Sequence, residues 1–201
     1  MMLEQHLALH GLAIKKHADA AAVASAVGLE PARVESLLKG AVETGRAVEA
    51  QGAFVLSPAG RMILDGHYSR VYGELRENHA FVTAYDRFER VNGELKQVIT
   101  DWQTMDVGGQ KVRNDHSNED YDAHVLDRLG EVHDRFMPIL AQLARHLPRL
   151  QRYAQKLEAA LDRAEDGAKE WVSDAKLESY HTVWFEMHED LLRILGRQRD
   201  E

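Results

Sequence analysis

The stretch Gly45-Arg46-Ala47-Val48-Glu49-Ala50-Gln51-Gly52-Ala53-Phe54-Val55-Leu56-Ser57-Pro58-Ala59-Gly60-Arg61 constrains this chain more than any other. Val48 and Ala50 alternate before Gln51-Gly52, and Ala53, Phe54, Val55 and Leu56 follow it. A polar-Gly pair between two short apolar runs is a hairpin signal. Ser57 suits the cap of a following helix, and Pro58 suits its first turn, where a missing N–H costs nothing. The stretch therefore predicts a helix end, a strand, a tight turn, a strand and a newly capped helix.

Three helices are expected ahead of it. Leu3 to about Lys16 carries Leu3, Leu7, Leu9, Leu12, Ala13 and Ile14 on a broad apolar face. Asp19 is a good N-cap for a short helix over Ala20 to Val27. Gly28-Leu29 makes a turn. Pro31 opens a third helix that runs to about Thr44, with Val34, Leu37, Leu38, Ala41 and Val42 inward and Gly45 ending it. Helix, Gly turn and helix form a helix-turn-helix unit, and a small hairpin behind three helices is the wing of a winged helix-turn-helix.

Everything after the wing reads as helix. One helix starts at Ser57-Pro58 and breaks near Asp65-Gly66. A long one runs from about Tyr68 to Met105, with Val71, Leu75, Val82, Tyr85, Phe88, Leu95, Val98, Ile99 and Trp102 at three- and four-residue steps. Asp106 to Glu119 is polar, contains Gly108-Gly109 and shows no period, which reads as a long loop, either functional or a surface excursion. Asp120 to Leu147 is strongly periodic through Val125, Leu129, Val132, Phe136, Ile139, Leu140 and Leu143. Pro148 marks a break, Arg149 to about Asp166 forms another helix, and Gly167 separates it from a last one over Lys169 to about Arg197. The expected fold is mainly α: a winged helix-turn-helix domain with a two-stranded wing over residues 1–66, then a helical bundle for dimerisation and effector binding over residues 67–201.

Composition narrows the function. The absence of cysteine excludes disulfides, thiolate metal sites and thiol nucleophiles, and it fits a reducing cytoplasm. The first residues lack the basic-then-apolar layout of a signal peptide, and no apolar run approaches membrane-spanning length. The expected location is the cytoplasm, away from membranes. Net charge is -8, yet residues 1–62 hold six cationic and six acidic residues, so the excess acid lies further along. An acidic C-terminal region repels DNA, and the N-terminal part is less acidic without being basic, a neutrality that favours a protein-interaction module over a DNA-binding one.

Residues 19–61 resemble the winged helix-turn-helix regulators of bacteria, notably the MarR-like group. The resemblance rests on the apolar helix pair around Gly28-Leu29, on Val34-Glu35-Ser36-Leu37-Leu38, on Thr44-Gly45-Arg46-Ala47-Val48 entering the wing, and on Leu56-Ser57-Pro58-Ala59-Gly60-Arg61 leaving it. It implies a third helix in the major groove of double-stranded DNA and a wing on phosphate or the minor groove. It also implies outer helices that join two subunits and form an effector pocket. The wing turn here is only Gln51-Gly52, with no basic tip, and the helical region behind it is longer than that group's. Arg33, Ser36 and Lys39 are the expected base and phosphate contacts, with Arg46 and Arg61 flanking them on phosphates. The alternative is a protein-interaction module whose winged helix never touches DNA.

Histidines are numerous, at 11. His181, Trp184 and His188 share one face of the last helix, next to Tyr180. With Trp102 they are the expected walls of a pocket for a planar or anionic effector. Glu178 and His181 make a single Glu-x-x-His, whereas ferritin-like dimetal sites need two. Asp120 and His124, four apart, resemble the metal motif in the helical effector domain of GntR-type regulators. The alternative is a capping Asp and a surface His, and no metal or other cofactor is expected. His6, His10 and His17 read as a solvent or subunit-contact face, and His133 as a satisfied, half-buried histidine. No phosphate loop, nucleophile elbow or His-Glu-x-x-His is present, so an enzyme is not expected.

Overall fold

The computed structural model describes residues 2–199. The protein is mainly helical and divides into two compact units, one made of residues 2–77 and 188–199, the other of Asn78–Met187.

In the first unit, α1 (Met2–Lys15) leads into β1 (His17–Ala18), then α2 (Ala20–Val27) and α3 (Pro31–Glu43). The hairpin β2 (Ala47–Ala50) and β3 (Ala53–Leu56) precedes α4 (Pro58–Glu77). Local chemistry accounts for these boundaries. The Asp19 carboxylate accepts from the Ala22 N–H at 2.8 Å, and Gly28 closes α2 in the left-handed conformation. Gln51 and Gly52 both have positive φ, the geometry that lets a two-residue turn follow the strand twist. The register pairs Ala47 with Leu56 and Val48 with Val55.

The expected two-stranded hairpin is present, and a third strand joins it. His17–Ala18 pairs antiparallel with β3, so the sheet order is β1-β3-β2. Two residues carry too little pattern to be seen in sequence. The hairpin base is tightly held: the Ser57 hydroxyl donates to the Gly45 carbonyl at 2.6 Å and accepts from the Gly60 N–H at 2.9 Å. The Ser57 N–H bonds the Arg46 carbonyl at 3.0 Å.

The expected helix break near Asp65-Gly66 does not occur. α4 continues to Glu77 with a kink at Tyr72 (φ -118°, ψ 15°). A glycine inside a helix costs about 1 kcal/mol, and burial of Leu64 and Tyr68 on either side of Gly66 outweighs it. The break falls at Asn78 instead, whose side chain caps the next helix by accepting from the Phe81 N–H at 3.0 Å.

The second unit pairs α5 (His79–Gln103) with α6 (Glu119–His146). The whole α6 stripe from Val125 to Leu143 is buried as expected. The expected long loop is instead largely a hairpin, β4 (Thr104–Val107) and β5 (Gln110–Arg113), turning on Gly108-Gly109, both at positive φ. After a 3₁₀ turn at Pro148–Leu150 come α7 (Gln151–Glu165) and the short α8 (Glu170–Ser173). The single last helix predicted over Lys169 to Arg197 is broken. Asp174 accepts from the Lys176 N–H in a turn, and the Ser179 hydroxyl lies 3.4 Å from the Thr182 N–H at the start of α9 (Tyr180–Leu195). The first half of α9 belongs to the second unit, and its second half, from His188, to the first.

Candidate functional site

The outer face of α3 is built as its periodicity demands. Val34, Leu37, Leu38 and Ala41 are buried, Val42 is half-buried, and Arg33, Ser36 and Lys39 are exposed. Both cations face carboxylates. An Arg33 Nη donates to Glu4 at 2.6 Å, and Lys39 Nζ to Glu35 one turn earlier at 2.7 Å. The hydrogen bond and charge of Arg33 lower the Glu4 pKa, and those of Glu35 raise that of Lys39. Arg46 is half-buried beside the hairpin base, and Arg61 is exposed in the first turn of α4. Around them lie exposed apolar side chains, Val48 at 57%, Val55 at 38% and Met62 at 76%.

Sequence reasoning missed a buried polar centre in the same unit. His6 and His10 sit one turn apart on α1, and Tyr68 and Tyr72 one turn apart on α4. Neither histidine lies on a solvent face: His6 is 4% exposed and His10 0%. The His6 ring stacks on His10 and meets Tyr68 and Tyr72 edge-on, at 5.2 and 5.5 Å. His10 Nδ1 lies 2.7 Å from the Tyr68 hydroxyl, and its Nε2 lies 2.8 Å from Asp190 Oδ1 on α9. Burial raises the Tyr68 pKa. The one sequence signal was an acid, Asp190, placed directly before the apolar residues Leu191, Leu192 and Ile194 at the end of α9. His17, the third member of that histidine series, is exposed on β1.

Of the expected effector residues, Trp102, Tyr180 and Trp184 fall into two ring clusters of the second unit. Trp102 packs on His116, with ring centroids 4.6 Å apart. Asn114 supports it by donating to the Trp102 carbonyl at 3.1 Å and to Asp122 at 2.8 Å. Lys169 Nζ closes that hub onto Asp122 at 2.8 Å. Burial raises the Asp122 pKa, but hydrogen bonds from Lys169, Asn114 and His116 outweigh it and hold the carboxyl below its ordinary value. Trp184 lies in the other cluster, 4.4 Å from the Phe136 ring, with Nε1 donating to Asn92. Tyr180 stacks at 6.1 Å on Trp184, and its hydroxyl lies 3.3 Å from His133 Nδ1. His181 is half-buried, and His188 is buried within the first unit.

Asp120 and His124 are both exposed on α6. Among the described residues no group of three or more His, Cys, Asp or Glu side chains is placed to hold a metal ion. No helix among them is long and apolar enough to cross a membrane. No family model, curated protein or solved structure matches this chain.

Proposed function

We propose that this chain is a cytoplasmic transcriptional regulator that binds double-stranded DNA as a homodimer under the control of a small effector. The observation that carries this reading is the element order of residues 2–56: helix, strand, two helices and a hairpin, with β1 added to the hairpin as a third strand. That order is in keeping with a winged helix-turn-helix plan, in which the second helix of the pair enters the major groove. α3 suits the role because its apolar side is buried and Arg33, Ser36 and Lys39 lie together on its free side. Their ion pairs with Glu4 and Glu35 are exposed, and pairs of that kind are exchanged for phosphate at little cost.

The test is binding of duplex DNA from upstream of the protein's own gene, measured across salt concentrations. Arg33→Ala and Lys39→Ala are each expected to weaken binding and to reduce the salt slope by about one. Unchanged affinity and slope in both variants would refute a DNA role for α3.

A second reading, a winged helix that binds protein, is favoured by one observation. Val48 and Val55 expose apolar surface on the hairpin, where a DNA-binding wing carries cations. A folded chain with no salt-dependent DNA affinity at all would select it.

A further inference from the structure

The second unit contains an open cavity of about 350 Å³ between the start of α5 and the end of α6. Its volume lies at the small end of the range for ligand sites. His79 and Thr83 line it from α5, and Gln142, Arg145 and His146 line it from α6. Ala80 and Ala84, one turn apart, add an apolar strip along α5. No Asp or Glu lines it among the described residues. The sequence accounts for that. Residues 78–85 and 135–157 contain no acidic side chain, in a chain with 33 of them and a net charge of -8. A concave wall with a permanent cation and no carboxylate draws in an anion.

The polar side chains of the wall are held from outside it. Arg87 donates to Gln142 Oε1 at 2.9 Å, which leaves the Gln142 NH2 group to donate elsewhere. The Asn78 side-chain oxygen accepts from the Phe81 N–H, so its NH2 group faces His146 Nδ1, 3.4 Å away. His146 Nδ1 is therefore an acceptor, and the neutral ring carries its proton on Nε2. The Phe81 ring meets the His146 ring edge-on, with centroids 6.2 Å apart. The Thr83 hydroxyl lies 3.4 Å from His79 Nδ1. Arg145 differs from the other arginines of α6. Arg128 pairs with Asp101 at 2.7 Å and Arg135 with Glu94 at 2.6 Å. Arg145 is exposed and pairs with no carboxylate of the described residues. A guanidinium fork, an amide NH2, a hydroxyl and imidazole N–H groups are more donors than the two oxygens of a carboxylate can use. They suit the three terminal oxygens of a phosphoryl group.

We propose that this cavity binds a phosphoryl group, free or carried by a small monoester. Arg145 is its charge partner, and Gln142, Thr83 and the two histidines are its further donors. Ala80 and Ala84 lie against the apolar part of an ester. The site lies wholly within the second unit and holds whether or not the chain binds DNA.

The test is an NMR titration of the full chain, read on the histidine ring resonances at constant pH and ionic strength. The probes, added separately, are phenyl phosphate, inorganic phosphate and acetate. Saturable shifts are expected at His79 and His146 with at least one of the two phosphates, and none at His17 or His124, which are exposed elsewhere. Affinity for the better phosphate is expected to exceed that for acetate about tenfold or more. Arg145→Gln changes an exposed side chain, and it is expected to lower phosphate affinity about tenfold or more. Lys111→Gln, which removes an exposed cation from the β4–β5 hairpin, is expected to leave affinity unchanged. Tighter binding of phenyl phosphate identifies a monoester site, and equal or tighter binding of inorganic phosphate a site for the free ion. No saturable shift with either phosphate, acetate bound as tightly, or equal affinity in Arg145→Gln and the parent chain overturns the proposal. Loss or absence of DNA binding has no bearing on these titrations, so the two readings fail separately.

Discussion

His10 Nε2 lies 2.8 Å from Asp190 Oδ1, across 180 positions of sequence, and both side chains are completely buried. The Tyr68 hydroxyl, 2.7 Å from Nδ1, engages the other ring nitrogen. With Asp190 ionised, Nε2 carries the proton and donates to the carboxylate, while Nδ1 accepts from the tyrosine. This arrangement ties α9 to α1 within the first unit.

Asp190→Ala leaves the His10 N–H buried without its acceptor and is expected to destabilise the first unit by about 3 kcal/mol. Asp190→Asn keeps an acceptor oxygen and is expected to cost less. The urea midpoints of the two variants check both statements. Equal midpoints for Asp190→Ala and the parent chain would contradict the role of the pair.

Two glycines of α4 are expected to respond with opposite signs. A Cβ on Gly60 meets the Arg46 carbonyl oxygen at 1.8 Å, and a backbone atom cannot turn aside. Gly60→Ala is therefore expected to cost about 3 kcal/mol or more, as overpacking at a fixed contact. Around Gly66 there is open space, and its position is helical. Gly66→Ala is expected to stabilise by about 1 kcal/mol. Thermal denaturation of the pair reads both signs at once.

Burial lowers the His133 pKa below its ordinary 6.5, although Asp134, Glu158, Glu165 and Asp162 pull it the other way. The unfolded chain therefore binds this proton more readily than the folded one. Stability rises with pH wherever the unfolded state holds more protons, so this contribution is complete above about pH 6.5. It is lost as pH falls from there toward the folded value. His133→Gln is expected to flatten the fall in urea midpoint between pH 7.5 and 5.5 relative to the parent chain. Parallel pH profiles would count against it.

Asn114 holds the β4–β5 hairpin to Trp102 and Asp122 through its side-chain amide. Asn114→Ala is expected to speed amide exchange across residues 104–113 by about tenfold, the equivalent of one lost hydrogen bond. Exchange in the middle of α6 is expected to stay unchanged, because its stripe is buried independently of that amide. Unaltered exchange across the hairpin would show that the Asn114 side chain does not hold it in place.

The elements legible in the chain were those whose stabilising partners lie within a few residues. Asp19 meets the Ala22 N–H three residues on, Gln51-Gly52 turns on its own dihedrals, and Ser57 caps with Gly60. The α6 stripe and the exposed side of α3 follow from periodicity alone. Gly108-Gly109 carried a hairpin signal of the same local kind, hidden because the strands beside it are only four residues long and the second is almost wholly polar. Tertiary structure decided what depends on distant surface. It carried α4 through Gly66, because packing of Leu64 and Tyr68 exceeds the glycine penalty, and it added β1 to β3 across nearly forty residues. It also returned the end of α9 to the first unit, where Asp190 meets His10. A cap or turn is stabilised by neighbours fixed by the covalent chain. A buried pair 180 positions apart exists only once apolar burial has closed the chain around it, and no local pattern records that closure.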